Sequence, residues 1–573
     1  VKEVTLNRLS VWFRYVAIAL LVVGIIFRFV NLNHKLFWHD EIYTGFRSAG
    51  YVRTEIHDEL IQTQPIQMRR LKDFVSLKPN STYTDTLRSL AIEDSQHPPL
   101  YFALTRLWMQ VFGSPIRWFF GSQVTVLRSL PMLLSLLAIP AAFALAWELF
   151  HSKTAALFAA MLLALSPFDV LFAQTARQYS LLTVLVLVSQ WLLLRAMRLS
   201  QPRPKGYRVS PSYQPWRPWL WYCVSLVLGL YTHPFFGLTL IAQAVLVGGI
   251  WLSDRAKPTG LLLKFSGTVL ASILAFAPWL WVIYRGKESV AATTGWLNVT
   301  PSIGYYLKLW LLSFTSLFID LDFGITNPIT FLLRLPFFIL TVVGVILICL
   351  QCDRRAWLSV LTMIFVPFLL LAGADFVFGG LRSTVSRYLI SSYPGVQLAM
   401  AWLLATLCTR GLAKLPSLYE KSTRSINRQL LGSIALSLIA IGSITSLTAS
   451  ATSYTWWNKD LSYFNGAIAR VINQTNAPLL VSDPGDDFTN LGDLISLSYI
   501  VRPEIPLVYL EGNLEYLNSP EFTALQKGRS LVVFRPSKQL RSLLEAKFRN
   551  LQPYPNRSLK LWTLSEPSAD QLD

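Results

Sequence analysis

Apolar residues in this 573-residue chain fall into long, nearly uninterrupted blocks joined by short polar connections. A block of about 20 such residues is what an α-helix needs to cross a bilayer. Segments of this kind lie near 11–30, 124–147, 154–173, 178–197, 218–232, 235–252, 261–283, 329–350, 356–373, 388–407 and 430–450, which predicts about eleven membrane helices. The stretch from Pro99 to Gly113 is also apolar, but it is only about 15 residues long and contains Arg106 and Gln110. Leu100, Leu104, Leu107, Trp108 and Val111 recur there at helical spacing, so the pattern predicts a helix lying along the membrane surface.

Past residue 450 the pattern changes. Short apolar runs at 478–481, 505–510, 531–534 and 559–564 alternate with helical patterns, as in a small α/β sheet. Two connections, 31–123 and 284–328, are too long for simple links and mix aromatic, apolar and polar residues, which predicts folded structure at the membrane surface. Within the second, Ile303 to Leu312 is an aromatic-rich stretch suited to lying flat on the bilayer. The predicted organisation is a membrane domain over 1–450, with both long loops forming its site, and a soluble α/β domain over 451–573.

Only 14% of residues are charged and 53% are apolar. A soluble globular protein carries about 25% charged residues, so a wholly water-soluble fold is excluded. The net charge of +19 would suggest a nucleic-acid partner on a soluble domain. In a membrane chain, basic residues instead report sidedness. About seventeen fall in the short loops on the N-terminal side, including Lys153, Arg195, Arg198, Arg203, Lys205, Arg208, Arg354, Arg355, Arg410 and Lys414; about three, Arg177, Arg382 and Arg387, fall in the short loops opposite. The N-terminus is therefore expected in the cytoplasm and the C-terminal domain outside, with no nucleic-acid partner. The first block follows Lys2 and Arg8 and lacks a small-x-small cleavage site, as an uncleaved anchor would. Cys223, Cys349, Cys352 and Cys408 make no disulfide framework, and the Cys349–Cys352 pair has no second pair or histidine to complete a metal site.

Candidate chemistry lies on the outer side. Trp38-His39-Asp40-Glu41 places two acids just past the first helix. Adjacent carboxylates point in different directions, so at most one faces a shared site, and simple solvation would also explain both. His97-Pro98-Pro99-Leu100-Tyr101 opens the surface helix, with the prolines fixing an extended start and the first helical position. His97 then sits near a helix end that can face an anion, although helix initiation alone accounts for the motif. Arg177 and Arg387 break the charge asymmetry, and arginine prefers bidentate pairing with phosphate or carboxylate oxygens. Arg28, Arg128 and Arg334, also near outer helix ends, are expected to snorkel to lipid headgroups. Asp483, Asp486 and Asp487 lack the spacing of a calcium loop and are read as capping acids in a solvated turn. Carboxylates and guanidinium groups above lipid-exposed aromatics suit a substrate with an anionic head and a long apolar tail. Two other classes fit parts of the pattern: a transporter or flippase of a lipid-linked anion, and a non-catalytic membrane sensor. Transporters show related repeats and charges at the bilayer midplane, whereas the polar features here lie at the outer edge and no repeat is seen.

Asp40-Glu41, His97-Pro98-Pro99-Leu100-Tyr101, Arg128-Ser129-Leu130-Pro131, Ser166-Pro167 through Arg177-Gln178-Tyr179-Ser180, Tyr231-Thr232-His233, and Ser386-Arg387-Tyr388-Leu389 with Pro394 occur in order across most of residues 31–394. In these pieces the chain resembles the GT-C glycosyltransferases of family 39, the group of protein O-mannosyltransferase-like and lipid A aminoarabinose transferase-like enzymes. The resemblance implies a polytopic helical membrane fold in a bacterial-type plasma membrane. It implies transfer of a sugar from a polyprenyl-phosphate donor to an acceptor at the extracytoplasmic face, with inversion. The acceptor stays unidentified. Asp40 would activate it, with Glu41 a substitute; Arg177 and Arg387 would bind the phosphate beside Tyr179 and Tyr388; His97 and His233 would contact substrate. No cofactor is required, although some relatives bind a divalent ion where this chain has Glu93, Asp94 and His97. Relatives often carry a second acid in the loop after the third helix; Gln174 to Leu182 contains none, and Asp169 lies a turn or more earlier.

Overall fold

The computed structural model describes residues 11–62, 64–200, 216–254, 259–288, 295, 299–409 and 428–564. Lys2, Arg8, Arg203, Lys205, Arg208, Arg410 and Lys414, all used in the charge argument, lie outside the described residues, as does part of the 284–328 loop.

In chain order the helices are α1 (Val11–Phe29), α2 (His39–Ala49), α3 (Arg53–Gln62), α4 (Tyr83–Glu93), α5 (Leu100–Phe120), α6 (Gln123–Phe150), α7 (Lys153–Leu165), α8 (Pro167–Ala173), α9 (Tyr179–Leu199), α10 (Arg217–Thr232), α11 (Phe236–Ser253), α12 (Thr259–Arg285), α13 (Ile303–Thr315), α14 (Pro328–Leu332), α15 (Leu335–Gln351), α16 (Arg354–Phe378), α17 (Tyr393–Cys408), α18 (Arg428–Thr452), α19 (Asn465–Gln474), α20 (Asn490–Ser498), α21 (Pro520–Gln526) and α22 (Lys538–Lys547). Six strands follow the same order: β1 (Ile66–Gln67), β2 (Pro478–Ser482), β3 (Pro506–Tyr509), β4 (Ser530–Phe534), β5 (Leu551–Pro553) and β6 (Leu561–Leu564). The chain divides into two compact units, one of Val1–Leu32, Asp94–Tyr101 and Arg128–Ala451, the other of Asn33–Glu93, Phe102–Leu127 and Thr452–Asp573.

The first unit is helical. Among the described residues, eight helices are long and apolar enough to cross a membrane, and the bent pair α7 and α8 passes the same test when taken together. α10 and α17, of 16 residues each, occupy the two remaining predicted segments. α17 starts later than the pattern suggested because Ser386–Leu389 winds as a tight 3-10 turn and Pro394 sits in the helix's first turn. The bend of 55° between α7 and α8 falls at Ser166-Pro167. Proline has no N–H to give the preceding turn and its ring crowds the carbonyl four residues back, so α7 must stop. The Ser166 hydroxyl then accepts from Asp169 N–H at 3.2 Å and starts α8.

The second unit holds one mixed sheet, in the order β1-β3-β2-β4-β6-β5. β2, β3 and β4 pair in parallel, while β1, β5 and β6 pair antiparallel. All four predicted strands of the tail are present. The sheet buries Leu479, Val481, Val508, Leu531 and Val533 against Leu540 and Leu544 of α22. Residues 452–564 do not make this unit alone: β1, from the first long loop, adds the edge strand next to β3, with Ile66 opposite Leu507. A two-residue strand has no periodicity to detect, so the pattern along the chain places the domain boundary at 450 and the loop with the membrane part.

α5 runs to Phe120, seven residues beyond its predicted end, and is not among the helices apolar enough to span. Its apolar stripe faces outward, with Leu107 47% and Val111 52% exposed. The opposite face is buried and carries Arg106, whose guanidinium donates to the carbonyls of Ser81 (2.6 Å) and Ala49 (3.2 Å). An exposed apolar stripe of this kind fits a lipid surface better than water.

Candidate functional site

Six of the predicted site residues come together in the helical unit. The connection from α8 to α9 carries Arg177, which is buried. Its Nη2 donates to His97 Nε2 at 3.0 Å, and His97 Nδ1 donates to Asp94 Oδ1 at 2.9 Å. This relay fixes the imidazole tautomer and the guanidinium's direction together. The Asp94–His97 turn is itself held from α12: Trp279 Nε1 donates to the Ser95 carbonyl at 3.1 Å, and Gly286 lies so close that an added Cβ would fall 2.2 Å from the Ser95 hydroxyl.

His233, in the connection between α10 and α11, stands edge-on to His97 with ring centroids 6.4 Å apart, and Tyr179 lies 6.0 Å from it. Phe235 bridges from His233 (5.2 Å) to Tyr388 (4.5 Å), and the Arg387 guanidinium sits 5.5 Å over the Tyr388 ring. Burial, reinforced by His97, Arg177 and Arg387, pushes His233 well below its ordinary pKa of 6.5. His233 Nδ1 accepts from Phe235 N–H at 3.1 Å, so the neutral ring carries its proton on Nε2 as a donor. Two guanidinium groups and a neutral N–H donor converge where one carboxylate, that of Asp94, is already engaged. Such a cluster is built for an anion.

The connection that bears Arg177 is tied to α1 in both directions. Arg28 donates to the carbonyls of Leu163 (3.0 Å) and Ala164, freed where Pro167 ends α7. Gln174 in return donates to the carbonyls of Phe27 (2.9 Å) and Val30 (2.8 Å) at the end of α1. Gly24 permits the approach, since a Cβ there would meet the Ala164 carbonyl oxygen at 2.2 Å. Arg28 therefore does not snorkel to headgroups. Nor do the other two arginines read that way: Arg128 is fully buried and donates to the Leu32 carbonyl at 3.0 Å, and Arg334 donates to the Ile319 carbonyl at 2.6 Å and pairs with Asp320 at 3.3 Å. Each spends its donors on main-chain carbonyls left open at helix ends.

Asp40 and Glu41 belong to the other unit, and their surroundings differ. Glu41 is fully buried, accepts from Trp38 N–H at 3.0 Å and pairs with Lys459 at 3.0 Å. Asp40, one residue earlier in the first turn of α2, is half-buried.

No family model matches the sequence, and no curated protein matches it. The fold itself is matched. The crystal structure of ArnT from Cupriavidus metallidurans in the apo state superposes with a TM-score of 0.51 at 13% identity, covering 97% of this chain and 100% of that chain. The same protein bound to undecaprenyl phosphate gives 0.50 at 14%, with the same coverage. The chain has the GT-C fold.

The side chains at the place where some relatives bind a divalent ion have other partners. Glu93 accepts from Arg53 N–H (3.0 Å) and Thr54 N–H (3.3 Å), capping α3, and both ring nitrogens of His97 are hydrogen-bonded. Among the described residues no group of three or more His, Cys, Asp or Glu could hold a metal. The residues do not fit such an ion. Asp169, the acid nearest the absent second carboxylate, accepts from Gln397 at 2.7 Å. Asp483 and Asp487 cap turns as expected, though Asp483 is buried, accepting from Gly485 and Ser537 N–H. Phe235, Gln174 and Lys459 have no role in the sequence pattern, and Asp94 appears there only beside a possible divalent ion. Only Gln174 had a local signal, three residues before Arg177 in a polar break between apolar blocks.

Proposed function

We propose that this protein is a membrane glycosyltransferase that moves a sugar from a polyprenyl-phosphate donor to an acceptor hydroxyl. The observation that carries this reading is the Arg177–His97–Asp94 relay with Arg387 and His233 beside it, in the fold of a protein known bound to undecaprenyl phosphate. A donor phosphodiester has one negative charge. When the anomeric C–O bond breaks, the departing phosphate monoester gains a second, so fixed cations stabilise the transition state more than the ground state. Arg177 and Arg387 take the phosphate oxygens, and His233 Nε2–H donates to one of them. Tyr179 and Tyr388 flank it.

Asp40 is the acceptor-activating carboxylate in this reading. The acceptor oxygen attacks the anomeric carbon from the face opposite the phosphate and its proton passes to Asp40, giving an inverted glycoside and polyprenyl phosphate. Base catalysis of this kind contributes about 10²- to 10⁴-fold. The sidedness of the basic loops supports a cytoplasmic N-terminus with reaction on the extracytoplasmic face, in a bacterial-type plasma membrane.

Binding of undecaprenyl phosphate to the purified chain in detergent tests the phosphate site. Wild type should bind, and Arg177→Ala should weaken binding at least about tenfold, since a charge-assisted pair is lost. Equal binding by both would remove Arg177 from the site.

A further inference from the structure

Glu41 and Lys459 lie 418 residues apart in sequence, yet their side chains meet at 3.0 Å with 0% and 1% exposure. We infer that the C-terminal segment is part of the catalytic apparatus, with Lys459 the positioning residue that fixes the first turn of α2 and hence Asp40. The inference rests on the reading of Asp40 as the acceptor-activating group.

The first N–H groups of a helix have no partner within it and must find one elsewhere. In α2 the Trp38 N–H goes to the Glu41 carboxylate, 3.0 Å away, which Lys459 holds in place. The Lys459 ammonium also sits 5.7 Å over the Trp38 ring. The His39 N–H goes to Ser462 Oγ at 2.9 Å, and that hydroxyl donates to Asp493 at 2.6 Å. Asp493 is buried and also receives Asn465 at 3.2 Å and the Arg535 guanidinium. Residues on both sides of Asp40 are thus anchored to 459–462, while Asp40 keeps partial access to solvent.

A buried ion pair is seldom the most stable way to join two segments, because desolvation consumes most of the attraction. What it supplies is a single geometry, since a displaced partner would leave a charge buried and unpaired. The segment that presents Lys459 and Ser462 is itself strained: Asp460, between them, has φ +42° and ψ −109°. Strain held in place by surrounding contacts is common where side chains must be aimed.

The test is a double-mutant cycle in the full chain, with Glu41→Gln, Lys459→Met and the double variant, read by kcat, donor KM and amide exchange of residues 38–41. Each single substitution should lower kcat at least about tenfold, leave donor KM within about twofold, and speed exchange in the first turn of α2; the double should be no worse than the poorer single. Should Lys459→Met fail to fold, Glu41→Gln compared with the double variant reads the same coupling. Wild-type kcat and exchange in the singles, multiplicative losses in the double, or exchange rising throughout 452–564 would overturn the inference. Wild-type protein that transfers no sugar would sink the functional reading instead, and amide exchange would still decide the role of Lys459.

Discussion

Arg28 and Gln174 exchange caps between α1 and the bent pair α7–α8: the guanidinium covers the open carbonyls of α7, and the carboxamide, at the end of α8, covers those at the end of α1. Neither touches the anion cluster, but Gln174 stands three residues before Arg177, so the exchange of caps sets where that arginine begins.

Breaking the exchange should therefore disturb donor binding as well as stability. Gln174→Ala removes hydrogen bonds to buried carbonyls and is expected to cost about 1–3 kcal/mol, with a larger loss for Arg28→Ala, which also strands α7. Gly24→Ala should mimic Arg28→Ala, because its Cβ would force α1 away from Ala164. Thermal unfolding with donor KM checks this; a fall in stability with unchanged KM would show that the clasp does not position Arg177.

Arg177 should not tolerate lysine. A guanidinium can serve His97 and a phosphate oxygen at once, whereas an ammonium is a point charge on a flexible stem. Arg177→Lys is expected to raise donor KM at least about tenfold, and Asp94→Asn, which loosens the relay through His97, to raise it less. Steady-state kinetics with varied donor would distinguish these, and a lysine variant with wild-type KM would refute bidentate use.

His233 makes the unliganded protein sensitive to acid. Its folded pKa lies below the ordinary 6.5, so between those values the unfolded chain binds the extra proton and stability declines as pH falls through that window. A bound phosphate opposes the cations that depress it, so undecaprenyl phosphate should flatten the decline. Thermal unfolding from about pH 7 to 5 would show it, with His233→Gln losing that share of the slope. The same slope in His233→Gln and wild type would assign the effect elsewhere.

The membrane helices were legible because a bilayer imposes length and apolarity on every span, and each predicted block is helical, although those at 154–173 and 329–350 are each broken into two helices and that at 388–407 begins in a 3-10 turn. The tail strands were legible for a similar reason, their apolar runs being bounded by turns. The arginines misled the reading. Arg28, Arg128 and Arg334 look like residues at a lipid boundary, and only tertiary structure shows which carbonyls a broken helix leaves open. Arg177 and His97 were found individually; their direct hydrogen bond, and Asp94 behind it, depend on a turn shaped by Trp279 and Gly286 far along the chain. Glu41 and Asp40 were indistinguishable in sequence, since nothing local announces Lys459.

Sugar transfer is the decisive property. Purified protein in detergent should be given a panel of polyprenyl-phosphate sugars with a cell-envelope extract as the acceptor pool, and release of polyprenyl phosphate followed for wild type and Asp40→Asn. Turnover with at least one donor, falling about a hundredfold or more in Asp40→Asn while donor binding persists, is the predicted result. Equal turnover in both proteins, or no release from any donor that binds, would contradict it.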